Sequence, residues 1–236
     1  MTPRIPRLAL LLLASLSIHA VAAPVYEQAP VAGPNVGAVW TSHFNSSNSG
    51  WQAQDDFSLG ANAAISRVTW RGIYLTNEAP CCGNGAPNTN SWTVEFRQDD
   101  GGTPGALAFS KTYADSAVHR SNATDGVFAG NPVDVYDFDL ALGSAFAAEA
   151  GINYWFSVRS NADGFSPFFG WTMAGPYEAG DVTFQNSYAN GVVTGTFAAR
   201  GGDRAFALYD VPEPTALALA GVGLIAAGSR RKRSAS

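Results

Sequence analysis

The stretch Trp92-Thr93-Val94-Glu95-Phe96-Arg97 alternates strictly between apolar and polar side chains. Successive side chains of a strand point to opposite faces, so this pattern predicts a β-strand. Trp92, Val94 and Phe96 are expected to point inward, and Thr93, Glu95 and Arg97 outward. The same period recurs on both sides. Upstream, residues 65–75 set Val68, Trp70 and Tyr74 against Arg67, Thr69 and Arg71. Downstream, residues 133–140 set Tyr136, Phe138 and Leu140 against Val135, Asp137 and Asp139, and residues 153–160 set Tyr154, Phe156 and Val158 against Trp155, Ser157 and Arg159. Further strands are expected at 36–44, 107–113, 168–173, 182–188 and 204–209, with room for one helical turn within 143–151.

Turn-forming clusters separate these runs, such as Asn45-Ser46-Ser47-Asn48-Ser49-Gly50 and Asp99-Asp100-Gly101-Gly102-Thr103-Pro104-Gly105. Nine or ten short strands without the internal repeat that a propeller or β-helix requires predict an all-β protein. The expected architecture is an antiparallel β-sandwich, jelly-roll-like.

The ends of the chain read differently. Arg4 and Arg7 precede an apolar run at 8–18, and Ala20-Val21-Ala22 supplies small residues at a cleavage site. Residues 1–22 therefore read as a secretory signal peptide, cut before Ala23. The body spans 23–210, about 190 residues, enough for one domain with a sizeable core. The full chain carries a formal charge of −5. Setting aside two cations in the leader, and four cations and one acid after residue 210, leaves eight cations against eighteen acids, a net −10. Such a body repels phosphate backbones, and nucleic acid is excluded as a partner.

After the body come Val211-Pro212-Glu213-Pro214, an uncharged run from Ala216 to Gly228, and Arg230-Arg231-Lys232-Arg233. The prolines lack amide donors and end the last strand. The apolar segment Thr215 to Ser229 spans about 22 Å as a helix at about 1.5 Å per residue. A permanent span needs about 20 residues to cross about 30 Å of hydrocarbon. The basic cluster stays on the cytoplasmic side, which places the body outside the inner membrane.

Turn, short span and basic stop in this order resemble the PEP-CTERM sorting tail of exported bacterial proteins. The resemblance covers 211–233 and implies processing by an exosortase near the Pro-Glu-Pro motif. It implies a transient hold in the inner membrane as a short transmembrane helix, then release to the cell surface or extracellular matrix of a bacterium that makes exopolysaccharide. The body, with Asp55-Asp56-Phe57, Val68-Thr69-Trp70 and Phe96 followed by Asp99-Asp100-Gly101-Gly102, also looks like domains attached to such tails.

Candidate chemistry in the body is sparse. His43 and His119 stand alone, outside any metal spacing or nucleophile motif. Glu95 with Asp100, and Asp137 with Asp139, are carboxylate pairs of the kind a glycosidase needs, but they read as solvated strand faces and turns. Asp55, Asp56, Asp99 and Asp100 offer oxygen ligands for a structural Ca²⁺, without an EF-hand spacing. No other cofactor is expected. Cys81 and Cys82, adjacent in a Gly/Asn/Pro-rich loop, are open to a vicinal disulfide, to pairing between molecules, or to a role as two loop thiols.

Aromatic side chains offer more, because their faces stack on the apolar faces of sugar rings. Trp70 and Trp92 fall with the core set. Trp155, Trp171 and Tyr177 are the candidate glycan contacts. The expected function is that of a non-enzymatic exported surface or matrix protein associating with exopolysaccharide. A carbohydrate-active hydrolase using loop carboxylates and a structural matrix protein without a discrete ligand are the alternatives.

Overall fold

The structure, a computed structural model, describes residues 23–77, 82–121, 123–176 and 182–210. In chain order the strands are β1 (Tyr26–Gln28), β2 (Val39–Thr41), β3 (His43–Phe44), β4 (Gly50–Ser58), β5 (Ala63–Leu75), β6 (Ser91–Asp99), β7 (Pro104–Ala114) and β8 (His119–Arg120). They continue as β9 (Thr124–Phe128), β10 (Asn131–Ala148), β11 (Asn153–Asn161), β12 (Phe168–Thr172), β13 (Val182–Ala189), β14 (Val192–Val193), β15 (Ala198–Gly201) and β16 (Phe206–Asp210). The leader at 1–22 and the tail at 211–233, with its expected transmembrane helix, lie outside the described residues. Among the described residues no helix is long and apolar enough to cross a membrane.

Two sheets pack face to face as a β-sandwich. The first runs β1-β16-β5-β10-β8, extended by β12 and β2 beside β5 and by β9 beside β10. The second runs β14-β13-β4-β3-β11-β6-β7, with β15 beside β13. The pairing is antiparallel except where β3 runs parallel to β11.

The expected single strand at 36–44 divides because it serves both sheets. β2 pairs with β12 in the first, and β3 with β4 in the second. Ser42 sits at the crossing. Its amide donates to Phe169 O, and its hydroxyl donates to Val158 O at 2.6 Å and accepts from Ala53 N–H at 3.2 Å. A buried serine whose hydroxyl both donates and accepts, and whose amide is also bonded, makes the change of sheet tolerable without orphaned backbone groups.

The inward residues read from alternation form the core. Trp70 and Trp92 meet at 5.2 Å, Trp70 stacks on Phe138 at 5.3 Å, and Phe96 stacks on Phe146 at 4.4 Å. Aromatic pairs of this kind contribute about 0.5–1.5 kcal/mol beyond area burial. Two expectations need correction. Residues 143–148 are not helical: β10 runs through them, with a register shift between Ala141 and Phe146. Gly143 at φ +69° admits the irregularity, which turns Phe146 onto the core.

The second correction concerns the outward set on β6. Glu95 is only 6% exposed and Thr93 4%. Glu95 Oε2 accepts from Gln52 Nε2 at 2.8 Å and from Arg97 Nη2 at 3.0 Å, and Oε1 lies 3.6 Å from Arg159 Nη1. β6 lies inside its sheet, between β11 and β7. Long side chains from neighbouring strands close over the shorter ones there.

The register also sets the two ends of the sandwich. Leu208 pairs with both Tyr26 and Val68, Asp210 pairs with Ile65, and Val25 N–H donates to Leu208 O. Ala23 and Asp210 thus leave on adjacent strands at the Ile65 end of β5. At the other end, Leu75 pairs with Phe168. Ten residues of strand separate these ends, about 30 Å at about 3.3 Å per residue.

Candidate functional site

Both nominated tryptophans are buried. Trp171 is 0% exposed, its ring lies between Phe156 and Phe206, and its indole N–H donates to Ala205 O at 3.0 Å. Trp155 does lie on the face opposite Phe156, yet it is 3% exposed. Its Nε1 donates to Asp99 Oδ1 at 2.8 Å and its ring meets Phe184 at 5.2 Å. Phe184 packs against it on the outer face of the second sheet, and what remains of Trp155 borders a polar pocket with Tyr26, Asn153 and Asp203. Tyr177 lies outside the described residues.

The open aromatic is instead Trp51, 39% exposed at the start of β4. It borders a cleft of about 320 Å³ at the Leu75 end, with Trp40 and Thr41 of β2, Phe168 of β12, Gln185 of β13 and the loop residue Phe165. Trp51 meets Phe165 edge-on at 5.1 Å, and Phe165 stacks on Phe168 at 5.7 Å. These contacts hold the rings in place before any ligand arrives. Gln185 Nε2 donates to Thr41 O at 2.9 Å, joining the sheets at the cleft wall. Asn77 and Cys82 also line it. Cys82 is disulfide-bonded, at φ +80°. Cys81, the only other cysteine of the chain, lies outside the described residues.

In the sequence Trp51 directly follows the turn-forming cluster at 45–50. Its partners at Trp40, Phe165 and Phe168 come from distant elements, and no single window of sequence joins them.

Behind the cleft, His43 is buried with Ser160. The two meet at 2.7 Å through Nδ1 and Oγ, and Nε2 lies 2.9 Å from Gly164 O. The carbonyl fixes the proton on Nε2, so Nδ1 accepts from Ser160 and faces Phe169 N–H at 3.4 Å. Burial pushes the His43 pKa down, against the pull of Gly164 O. Both His43 and Ser160 are 0% exposed. His119 lies far from this cluster, on the outer face of the first sheet.

The carboxylates are distributed among structural tasks. Asp137 and Asp139 are held by Arg71 and Arg67 through paired bonds of 2.6–2.9 Å. Asp55 is fully buried and accepts from Arg204 N–H at 2.5 Å and Thr183 Oγ1 at 3.3 Å. Burial raises its pKa, reinforced by Asp203 and Asp56 and opposed by the Arg204 N–H and guanidinium. Asp56 borders a separate polar pocket with Asp203 and Tyr26.

Desolvation acts to raise Asp99, but donors from Gly102 N–H, Trp155 and Asn153 outweigh it and hold the carboxyl below its usual range. Asp100 closes a turn, its amide donating to Thr103 O at 2.8 Å. Among the described residues no group of three His, Cys, Asp or Glu side chains is placed to hold a metal ion.

An exported β-sandwich whose last strand leads directly into a targeting segment is the class that fold and sequence define. The family model for the PEP-CTERM protein-sorting motif matches residues 210–233, beginning at the final residue of β16. The chain thus carries a PEP-CTERM sorting motif at its C-terminal end, and the motif supports export and sorting through exosortase after transient membrane anchoring. No curated protein matches the chain.

Proposed function

We propose that this protein is a non-enzymatic component of the cell surface or extracellular matrix that associates with exopolysaccharide through the Trp51 cleft. One observation carries the reading: Trp51 is open to solvent and braced by Phe165 and Phe168 in a cleft that also offers the amides of Asn77 and Gln185. Sugar rings have one apolar face and a rim of hydroxyls, and sites that hold them combine ring platforms with a few polar groups. The sorting motif favours delivery to where such polymers accumulate.

The non-enzymatic part is supported by the carboxylates. None of the described residues lining the cleft is an acid, while Glu95, Asp137 and Asp139 are held by arginines. Glycoside hydrolysis ordinarily needs a pair of acids flanking the scissile bond.

The test is electrophoresis of the mature body through gels containing exopolysaccharide from the producing bacterium, with reducing sugar measured in parallel. Retardation without sugar release is the expected outcome. Sugar release that disappears on replacing one carboxylate by Ala would establish the hydrolase instead. Migration unchanged by any polymer would favour a structural matrix protein.

A further inference from the structure

We infer that the cleft takes uncharged glycan segments and discriminates against polyuronates and other anionic polymers. The inference rests on the glycan reading above and narrows its ligand class. Among the described residues the lining comprises aromatic and aliphatic side chains, one threonine, two amides and the bonded Cys82. Among these described lining residues there is neither a cation nor an anion.

A carboxylate or sulfate entering such a cleft loses hydration and meets no guanidinium or ammonium among the described lining residues, and an unpaired charge is expensive to desolvate. Arg200 is not among the lining residues, and its guanidinium lies 5.1 Å over the Trp40 ring, already engaged by that aromatic face. The remaining field points the same way. The body carries eight cations against eighteen acids, and five of the cations are tied to acids: Arg67 to Asp139, Arg71 to Asp137, Arg97 and Arg159 to Glu95, and Arg120 to Asp115. A polyanion is therefore repelled at long range and unrewarded at contact.

A neutral hexose chain meets none of these penalties. Its apolar ring face fits Trp51, and its hydroxyls exchange water for the amides of Asn77 and Gln185. The Asn77 amide both donates and accepts, as hydroxyls require, while Gln185 Nε2 is already engaged with Thr41 O at 2.9 Å.

The experiment compares retardation of the mature body in gels containing neutral polymers (a β-glucan, a mannan, a galactan) with gels containing alginate or pectate, at low salt and at 0.5 M NaCl. Retardation by at least one neutral polymer, little changed by salt, is expected. The Trp51→Ala variant should lose at least tenfold in apparent affinity, and Asn77→Ala severalfold. Trp51 is exposed enough that the Ala variant should keep the parent's near-UV circular dichroism, which is recorded as the folding control.

Retardation only by alginate or pectate, or retardation abolished by salt, would overturn the neutral-ligand inference while leaving glycan binding intact. Full retention by folded Trp51→Ala would remove the cleft from the interaction. No retardation by any polymer would sink the glycan reading itself, and the inference with it.

Discussion

At the scale of single residues, His43 shows how a lone histidine becomes committed to the fold. Its ring bridges the Ser160 hydroxyl and the Gly164 carbonyl, with Phe165 edge-on at 5.6 Å. A second proton on Nδ1 would oppose the Phe169 N–H and place a charge where water is excluded. Burial holds the folded pKa below the ordinary value near 6.5. The unfolded chain therefore binds more protons than the native one over the interval between the two values. Stability is complete above about pH 6.5 and is lost as pH falls through that interval towards the folded pKa. Melting curves should shift to lower temperature between pH 7 and 5, by about 2–4 °C for each kcal/mol lost at this chain length. His43→Asn keeps an acceptor for Ser160 but does not titrate, so it should melt lower at pH 7 yet show a flatter pH slope. An unchanged slope in that variant would assign the acid sensitivity elsewhere. Nothing in the local sequence marks this role, because Ser160 and Gly164 are more than a hundred residues away.

At the scale of elements, alternation read from the sequence located the strands well and their environments unevenly. Trp92, Val94 and Phe96 are buried as period two requires, and so are Val68, Trp70 and Tyr74. Glu95 obeys the same rule of sides yet is covered, since periodicity reports which face a side chain takes and not what lies over that face. The cover here comes from Gln52 on β4, Arg159 on β11 and Arg97 on β6 itself. The same limit explains Trp155, assigned correctly to the opposite face from Phe156 and then closed over by Phe184 of β13. Short edge elements such as β1, β8, β9, β14 and β15 had no legible pattern, because two to five residues cannot display a period. Glu95→Ala should cost about 3 kcal/mol, as expected when one partner of a mostly buried charge network is removed and Arg159 and Gln52 are left facing a void. Glu95→Gln keeps the volume and should recover part of that loss in urea denaturation. Equal midpoints for Glu95→Ala and the parent would place Glu95 in water, contrary to its burial.

At the scale of the whole molecule, the register puts the two ends of the body, Ala23 and Asp210, opposite the cleft. Ala23 and Asp210 leave on neighbouring strands, β1 and β16, beside Ile65 on β5. The aromatic cleft lies around Leu75, about 30 Å along the same strand. Between Asp210 and the apolar run that begins near Thr215 stand only Val211, Pro212, Glu213 and Pro214. Fully extended, four residues reach about 14 Å, less than half the length of the sandwich. While the tail is held in the membrane, the Ile65 end must stay close to the bilayer, and the cleft is expected to face away from it. A polymer outside the membrane would then meet Trp51 before the tail is processed. The prediction is checked with the full chain, leader removed and tail intact, in vesicles carrying an acceptor dye on the lipid headgroups. A donor dye is placed on Ala61→Cys or on Asn77→Cys, residues near the two ends of β5. Energy transfer should be clearly stronger from position 61 than from 77, and the difference should vanish when the tail is cut at 210 and the body floats free. Equal transfer from both positions on intact vesicles would mean that the sandwich lies flat on the bilayer, with its cleft no farther from the lipid than its termini.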